Sequence, residues 1–134
     1  MQFMAFAFTW LWFKLATPAM ADHFVLICGT CNGPIPAHEA KETLDRELPE
    51  GFSTRLIDCM AGCDRPMTVG MQANGKAQYL FGDIQSLADL SALAEFAHQF
   101  RDSQDGWTSA STRPLALYTK TLSRMPCLPS GDTA

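Results

Sequence analysis

The sequence predicts a small α/β domain, one mixed sheet with helices packed on it, and three observations carry that expectation. Two short runs rich in apolar and β-branched residues, 24–27 and 52–57, flank a stretch of helical periodicity. Asn74-Gly75 separates two further runs with strand character. A second helical stripe follows from Leu87 to Phe100. At 134 residues the chain holds one such domain and a tail.

Residues 23–27 are continuous in apolar character, as strands of a parallel sheet are, and deliver Cys28 to a strand end. After Cys31, Asn32-Gly33-Pro34-Ile35-Pro36 cannot continue a regular element, because its prolines lack the amide donor. With Pro36 at a first helical position, Ala37, Ala40, Leu44 and Leu48 then recur at helical spacing, and Glu39, Lys41, Glu42 and Asp45 fill the other face. Pro49-Glu50-Gly51 ends this helix, and residues 52–58 form the second strand. A strand, helix and strand of this length make a right-handed parallel βαβ unit. Its strands end together, which brings Cys28 and Cys59 to one edge of the sheet.

Residues 67–73 and 76–81 form an antiparallel hairpin about Asn74-Gly75, read as a type I′ turn because both residues accept positive φ. Leu87, Leu90, Leu93, Ala94, Ala97 and Phe100 are the apolar stripe of the second helix, with Asp83 or Ser86 capping its amino end. Residues 103–112 read as turns apart from Trp107. Leu115, Tyr118, Leu122 and Met125 match one short amphipathic helix after Pro114, a packing arm. The order β-α-β-β-β-α over residues 22–101, with a C-terminal arm over 102–134, is that of a small thioredoxin-like domain.

Residues 1–21 stand apart. An apolar, aromatic run to Phe13 is followed by Lys14 and by Pro18-Ala19-Met20-Ala21, a small-residue pattern of the kind that ends a secretory signal peptide. No Lys or Arg precedes the run, and it is shorter than the roughly 20 apolar residues a bilayer span needs. We read the functional start as Met20 and the location as cytoplasmic, with export as the alternative if the leader is a true signal. A reducing cytosol keeps thiols free for metal, whereas an oxidising compartment converts them to disulfides.

A net charge of -4 and ten Lys and Arg residues without a cluster give no electrostatic footprint for nucleic acid or an anionic membrane. His23, His38 and His98 are scattered singly and read as solvated surface residues. No serine-histidine-carboxylate set, phosphate loop or acid pair stands out, so side-chain catalysis is not expected.

Four of the five cysteines lie in two loops, Cys28-Gly29-Thr30-Cys31 and Cys59-Met60-Ala61-Gly62-Cys63, each following a predicted strand. Thiolates from two strand-end loops suit a four-cysteine metal or iron-sulfur site, where Gly29 and Gly62 would let the main chain approach. Zinc is the second reading: CxxC is its usual half-site, but the interval from Cys31 to Cys59 exceeds the roughly 15–20 residues of a zinc-ribbon spacer. Thiol-disulfide exchange at Cys28 and Cys31 is third, because Asn32 to Pro36 separates the pair from the helix dipole that activates such thiols. Met60, Met67 and Met71 hint at copper(I), although methionines at strand spacing belong more often to a core. Asp58, Asp64 and Arg65 flank the site as solvated charges, with tuning of a potential or contact with a partner as their functional option. Cys127 is a bystander thiol.

The run Cys59-Met60-Ala61-Gly62-Cys63, with Pro66, a hairpin and a helix after it, resembles the second half of thioredoxin-like 2Fe-2S ferredoxins. That resemblance covers roughly residues 24–100 and implies Cys59 and Cys63 as the last two cluster ligands, with Gly62 beside them. The first pair departs from it, since Cys28 and Cys31 stand closer than the ferredoxins' first two ligands. The wider pattern, with Gly75-Lys76, Tyr79-Leu80-Phe81-Gly82-Asp83, Asp105-Gly106-Trp107 and Arg113-Pro114, resembles a family of short bacterial proteins described only as predicted metal-binding. The expectation is a 2Fe-2S cluster, or zinc, on Cys28, Cys31, Cys59 and Cys63, used in one-electron transfer or redox sensing. Its partner would be a redox or metal-delivery protein, and a homo-oligomer remains open.

Overall fold

A computed structural model describes residues 21–128. The expected leader lies outside these residues but for Ala21, as do residues 129–134. Five strands form one sheet: β1 (His23–Cys28), β2 (Phe52–Ile57), β3 (Val69–Ala73), β4 (Gln78–Phe81) and β5 (Thr121–Met125). Their order is β2-β1-β3-β4-β5. β1 and β2 run parallel, in register from His23 opposite Phe52 to Cys28 opposite Ile57, as the βαβ reading requires. β3 runs antiparallel to β1 and to β4, and β4 to β5.

Two α-helices, α1 (Ala37–Glu47) and α2 (Leu87–Asp102), pack against one another over one side of the sheet. Strand side chains alternate between faces, so Val25, Ile27, Val69, Met71, Tyr79 and Phe81 point to the helices and are buried. They meet Ala40 and Leu44 of α1 and Leu90, Leu93, Phe96 and Phe100 of α2 in one core. Phe24, Leu26 and Leu80, which alternate with them, are only half-buried.

Ser86 caps α2: its side chain accepts from the Asp89 amide at 3.2 Å, and Asp89 accepts in turn from the Ser86 amide at 3.2 Å. Leu87 drops out of the predicted stripe and is exposed, while Phe96 joins it. Pro36 is the residue before α1, with extended backbone, not its first helical residue. The hairpin is not type I′, because Gly75 takes positive φ (73°) and Asn74 does not.

The largest correction lies at the C-terminal end. The segment expected as one amphipathic helix is a 3₁₀ turn, Leu115–Leu117, followed by strand β5. Leu115, Tyr118, Leu122 and Met125 are exposed, and Leu117, outside the predicted stripe, is fully buried. Pairing of β5 with β4 covers an edge that would otherwise present a row of unpaired backbone groups. His23 is also corrected. It is buried, with its ring 4.9 Å from Phe52 and 5.8 Å from Phe100, and its Nδ1 lies 2.7 Å from Asp22 Oδ1. His38 and His98 are exposed, as expected.

Candidate metal centre

β1 lies between β2 and β3, so the link from β2 to β3 must cross the end of β1. That link contains Cys59 and Cys63, and the end it crosses is Cys28. The Cys28 amide donates to Thr68 O at 3.1 Å, and the Gly29 amide to Ile57 O at 2.7 Å. The first cysteine loop therefore leaves the sheet held on both sides by the ends of the second.

Cys28 shares strand parity with Phe24 and Leu26 and so projects to the face the helices leave open. It is 1% exposed. Burial pushes its pKa up, but hydrogen bonds from the Cys31 and Thr30 side chains and from the Thr30 and Met60 amides outweigh that effect. They hold the thiol at about 6, against an ordinary 9.0. Cys31 shifts the opposite way, above its ordinary value: burial raises it, as does the donation of its proton to Cys28, against hydrogen bonds from Thr68. Cys31 Sγ lies 3.8 Å from Thr68 Oγ1, and Cys28 Sγ lies 3.6 Å from Thr30 Oγ1.

Cys59 and Cys63 are exposed, and all the cysteines are free thiols. Among the described residues no three His, Cys, Asp or Glu side chains come together as an assembled metal site. The sulfurs are gathered to one edge but not onto one point. The donor set still fits a thiophilic centre: four thiols on two loops joined by the backbone hydrogen bonds at Cys28 and Gly29, with the Cys28 thiol held below its ordinary pKa.

Gly62 is accounted for by a different neighbour from the one its motif suggests. A Cβ built on it would overlap Thr68 Cγ2 and stand 3.1 Å from Thr68 Cβ. Its missing side chain lets the second loop lie against Thr68, the residue that also holds Cys31. Ala61 takes φ 61°, a left-handed conformation that costs a non-glycine residue about 1–2 kcal/mol. Gly29 has ordinary space around it, its built Cβ 3.5 Å from Ile57 O.

The far end of the second loop is locked by contacts that carry no sequence signal. Arg65 Nε donates to Asp83 Oδ2 at 2.6 Å and its Nη2 to Thr119 O at 2.9 Å. The Asp83 and Ile84 amides donate to Arg65 O and Met67 O. Thr30, Thr68 and the Met60 amide were likewise invisible in sequence, since their roles depend on which strand lies beside which. Met60 covers Gly70 on the open sheet face, Met67 and Met71 are core residues, and Asp58 and Asp64 are exposed. Cys127 sits beside the Asn74-Gly75 turn, at the end of the sheet opposite Cys28. No helix among the described residues is long and apolar enough to cross a membrane.

The family described as Protein of unknown function (DUF1636) matches residues 25–127, and the chain belongs to that family. The match spans all five strands except the first residues of β1 and takes in all five cysteines. No curated protein and no solved structure matches the chain.

Proposed function

We propose that this DUF1636 protein carries a metal centre on Cys28, Cys31, Cys59 and Cys63, most readily a 2Fe-2S cluster, and acts in one-electron transfer or redox sensing. One observation carries the reading: the link bearing Cys59 and Cys63 crosses the strand end that bears Cys28, tied to it by the Cys28 amide donating to Thr68 O at 3.1 Å and the Gly29 amide to Ile57 O at 2.7 Å. The sheet order β2-β1-β3-β4, with β1 and β2 parallel and β3 reversed, supports a thioredoxin-like core to which β5 is an addition. A 2Fe-2S cluster bound there supplies a one-electron couple. The chain's own residues do the rest. Thr30 and Met60 amides stabilise negative charge on Cys28, Thr68 does the same at Cys31, and Arg65 with Asp83 fixes the loop that presents Cys59 and Cys63. A redox or metal-delivery protein would meet this edge, in the cytosol.

Zinc is the alternative occupant of the same thiols and would make the protein a structural or metal-handling module. The low pKa of Cys28 also favours thiol-disulfide exchange at the Cys28–Cys31 pair, but a thiolate 1% exposed is better placed as a ligand than as a nucleophile. Cys59→Ser separates metal ligation from thiol-disulfide exchange at Cys28 and Cys31. A ligand role predicts loss of bound metal with the fold retained by circular dichroism. Full metal content in Cys59→Ser would overturn the four-cysteine assignment.

A further inference from the structure

Cys28 and Cys31 each have a threonine hydroxyl near the sulfur, but among the described residues neither Cys59 nor Cys63 is held by a hydrogen bond to its thiol. The placement of these two exposed sulfurs therefore depends on how the backbone of their loop is held. That loop ends at Arg65, and Arg65 is tied to the segment that begins β5. Its Nη2 donates to Thr119 O at 2.9 Å, and its Nε donates to Asp83 Oδ2 at 2.6 Å. Lys120 holds Asp83 in turn: its Nζ donates to Asp83 O at 2.8 Å, and the Gly82 amide donates to Lys120 O at 2.9 Å. The Asp83 amide, donating to Arg65 O at 2.9 Å, closes the circuit.

Lys120 is the fixed point of this circuit. Its Nζ also donates to Asp89 Oδ2 at 2.8 Å, and Asp89 is locked in the capping box of α2. The Lys120 and Asp89 side chains are 21% and 7% exposed, so water and salt screen this pair less than one at the surface. Asp83 takes φ 56°, a left-handed conformation that a non-glycine residue keeps only where its surroundings over-determine it, and the bonds from Lys120 and Arg65 do so. A Cβ built on Gly82 would stand 2.8 Å from Leu122 Cδ1 and 3.0 Å from Arg65 Cβ, so the start of β5 and the end of the cysteine loop close on this glycine from two sides. Leu122 also walls a hollow with Ala61 and Gly62, which lie between the two cysteines.

We propose that Lys120 is a positioning residue for the Cys59 and Cys63 ligands, acting through Asp83 and Arg65. This rests on the reading of those two cysteines as metal ligands. A loop clamped at its end loses less freedom when its thiolates take a metal, and the metal is kept longer for it. Nothing near Lys120 in the sequence marks this role, because its partners come from the far ends of β4, the second cysteine loop and α2.

Two measurements on the full chain test the role of Lys120. In the metal-free protein, hydrogen exchange of the amides in residues 59–65 should quicken at least about fivefold in Lys120→Met. With cobalt(II) as the probe metal, followed by its thiolate charge-transfer absorbance, release to EDTA should quicken by a similar factor. Tyr79→Phe is the control: it loosens the core without touching any of these contacts and should change neither rate. Arg65→Ala, a half-exposed change, serves where Lys120→Met fails to fold by circular dichroism, and it should quicken both rates as well. Wild-type rates in the folded variants would overturn the proposal, as would an equal effect of Tyr79→Phe, which marks a loss of stability alone. A wild-type chain that binds no cobalt would overturn the ligand reading of Cys59 and Cys63 and the proposal with it, whereas bound cobalt released no faster from the variants would overturn the proposal alone.

Discussion

Replacing Gly62 with alanine tests how the second cysteine loop is held. The φ of Gly62 lies outside the left-handed region, so alanine meets no backbone penalty there, only a collision. Its Cβ would overlap Thr68 Cγ2 and press on Thr68 Cβ at 3.1 Å and Oγ1 at 3.3 Å. Thr68 is fully buried, and its β-branched side chain is stiff at χ1, so it cannot turn aside without giving up Cys31. Overpacking of this kind costs about 1–3 kcal/mol, and the rigid neighbour puts Gly62→Ala near about 3. Thr68→Ser deletes the colliding methyl and keeps the hydroxyl, at about 1 kcal/mol for a buried methyl. In the double variant the two changes relieve each other, with a coupling of about 1–2 kcal/mol. Urea unfolding followed by far-ultraviolet circular dichroism reads all four corners of the cycle. For a domain of roughly 100 residues, Gly62→Ala alone should lower Tm by on the order of 10 °C. A shift within about 1 °C, or strictly additive single variants, would refute the packing of this loop on Thr68.

Four other outcomes follow from the same contacts. In the metal-free protein, thiolate absorbance should show a step with a midpoint near 6 that is absent from Cys28→Ser. Because the folded value lies below the ordinary 9.0, the stabilisation from Cys28 is whole above 9.0 and is lost as pH falls through about 6. Asp89 is 5% exposed; burial raises its pKa, but Lys120, the Gln85 amide and Ser86 outweigh that and lower it below its ordinary 3.8. Its stabilisation is therefore present above 3.8 and lost on acidification below it, and Asp89→Asn should cost about 3 kcal/mol at neutral pH in a urea titration. Tyr79 Oη donates to Gly106 O at 2.7 Å and accepts from the Thr108 amide at 3.0 Å, all buried, so Tyr79→Phe should cost about 1–3 kcal/mol in the same assay. Arg65→Ala removes a half-exposed pair and should cost only about 0.5–1 kcal/mol, while limited proteolysis within residues 59–65 should accelerate.

The parts of the fold that were legible in the sequence are those set by local pattern. The apolar runs ending in Cys28 and near Cys59, the intervening α1 and the apolar face of α2 follow from residue periodicity. Parallel strands end together, so the shared edge of the two cysteine loops was legible too. The C-terminal arm was not. Leu115, Tyr118, Leu122 and Met125 stand at helical spacing, yet β4 presents an open edge, and pairing with it decides the conformation of residues 121–125. His23 looked like a surface residue because a single histidine carries no periodicity; its burial comes from Phe52 and Phe100, remote in sequence. At the site, the cysteines and Gly62 were visible, but Thr68 was not. Its importance arises because β3 lies beside β1, which makes one threonine both the stop for Gly62 and the partner of Cys31.

The most direct measurement is anaerobic purification of the full chain, with a visible absorption spectrum and iron, sulfide and zinc analysis on one sample. The account predicts a brown protein with iron and acid-labile sulfide in about equal amounts, both lost when Cys28 or Cys59 is replaced by serine. A colourless protein free of iron, zinc and sulfide would contradict a metal centre on these four cysteines, and a colourless protein with stoichiometric zinc would contradict electron transfer.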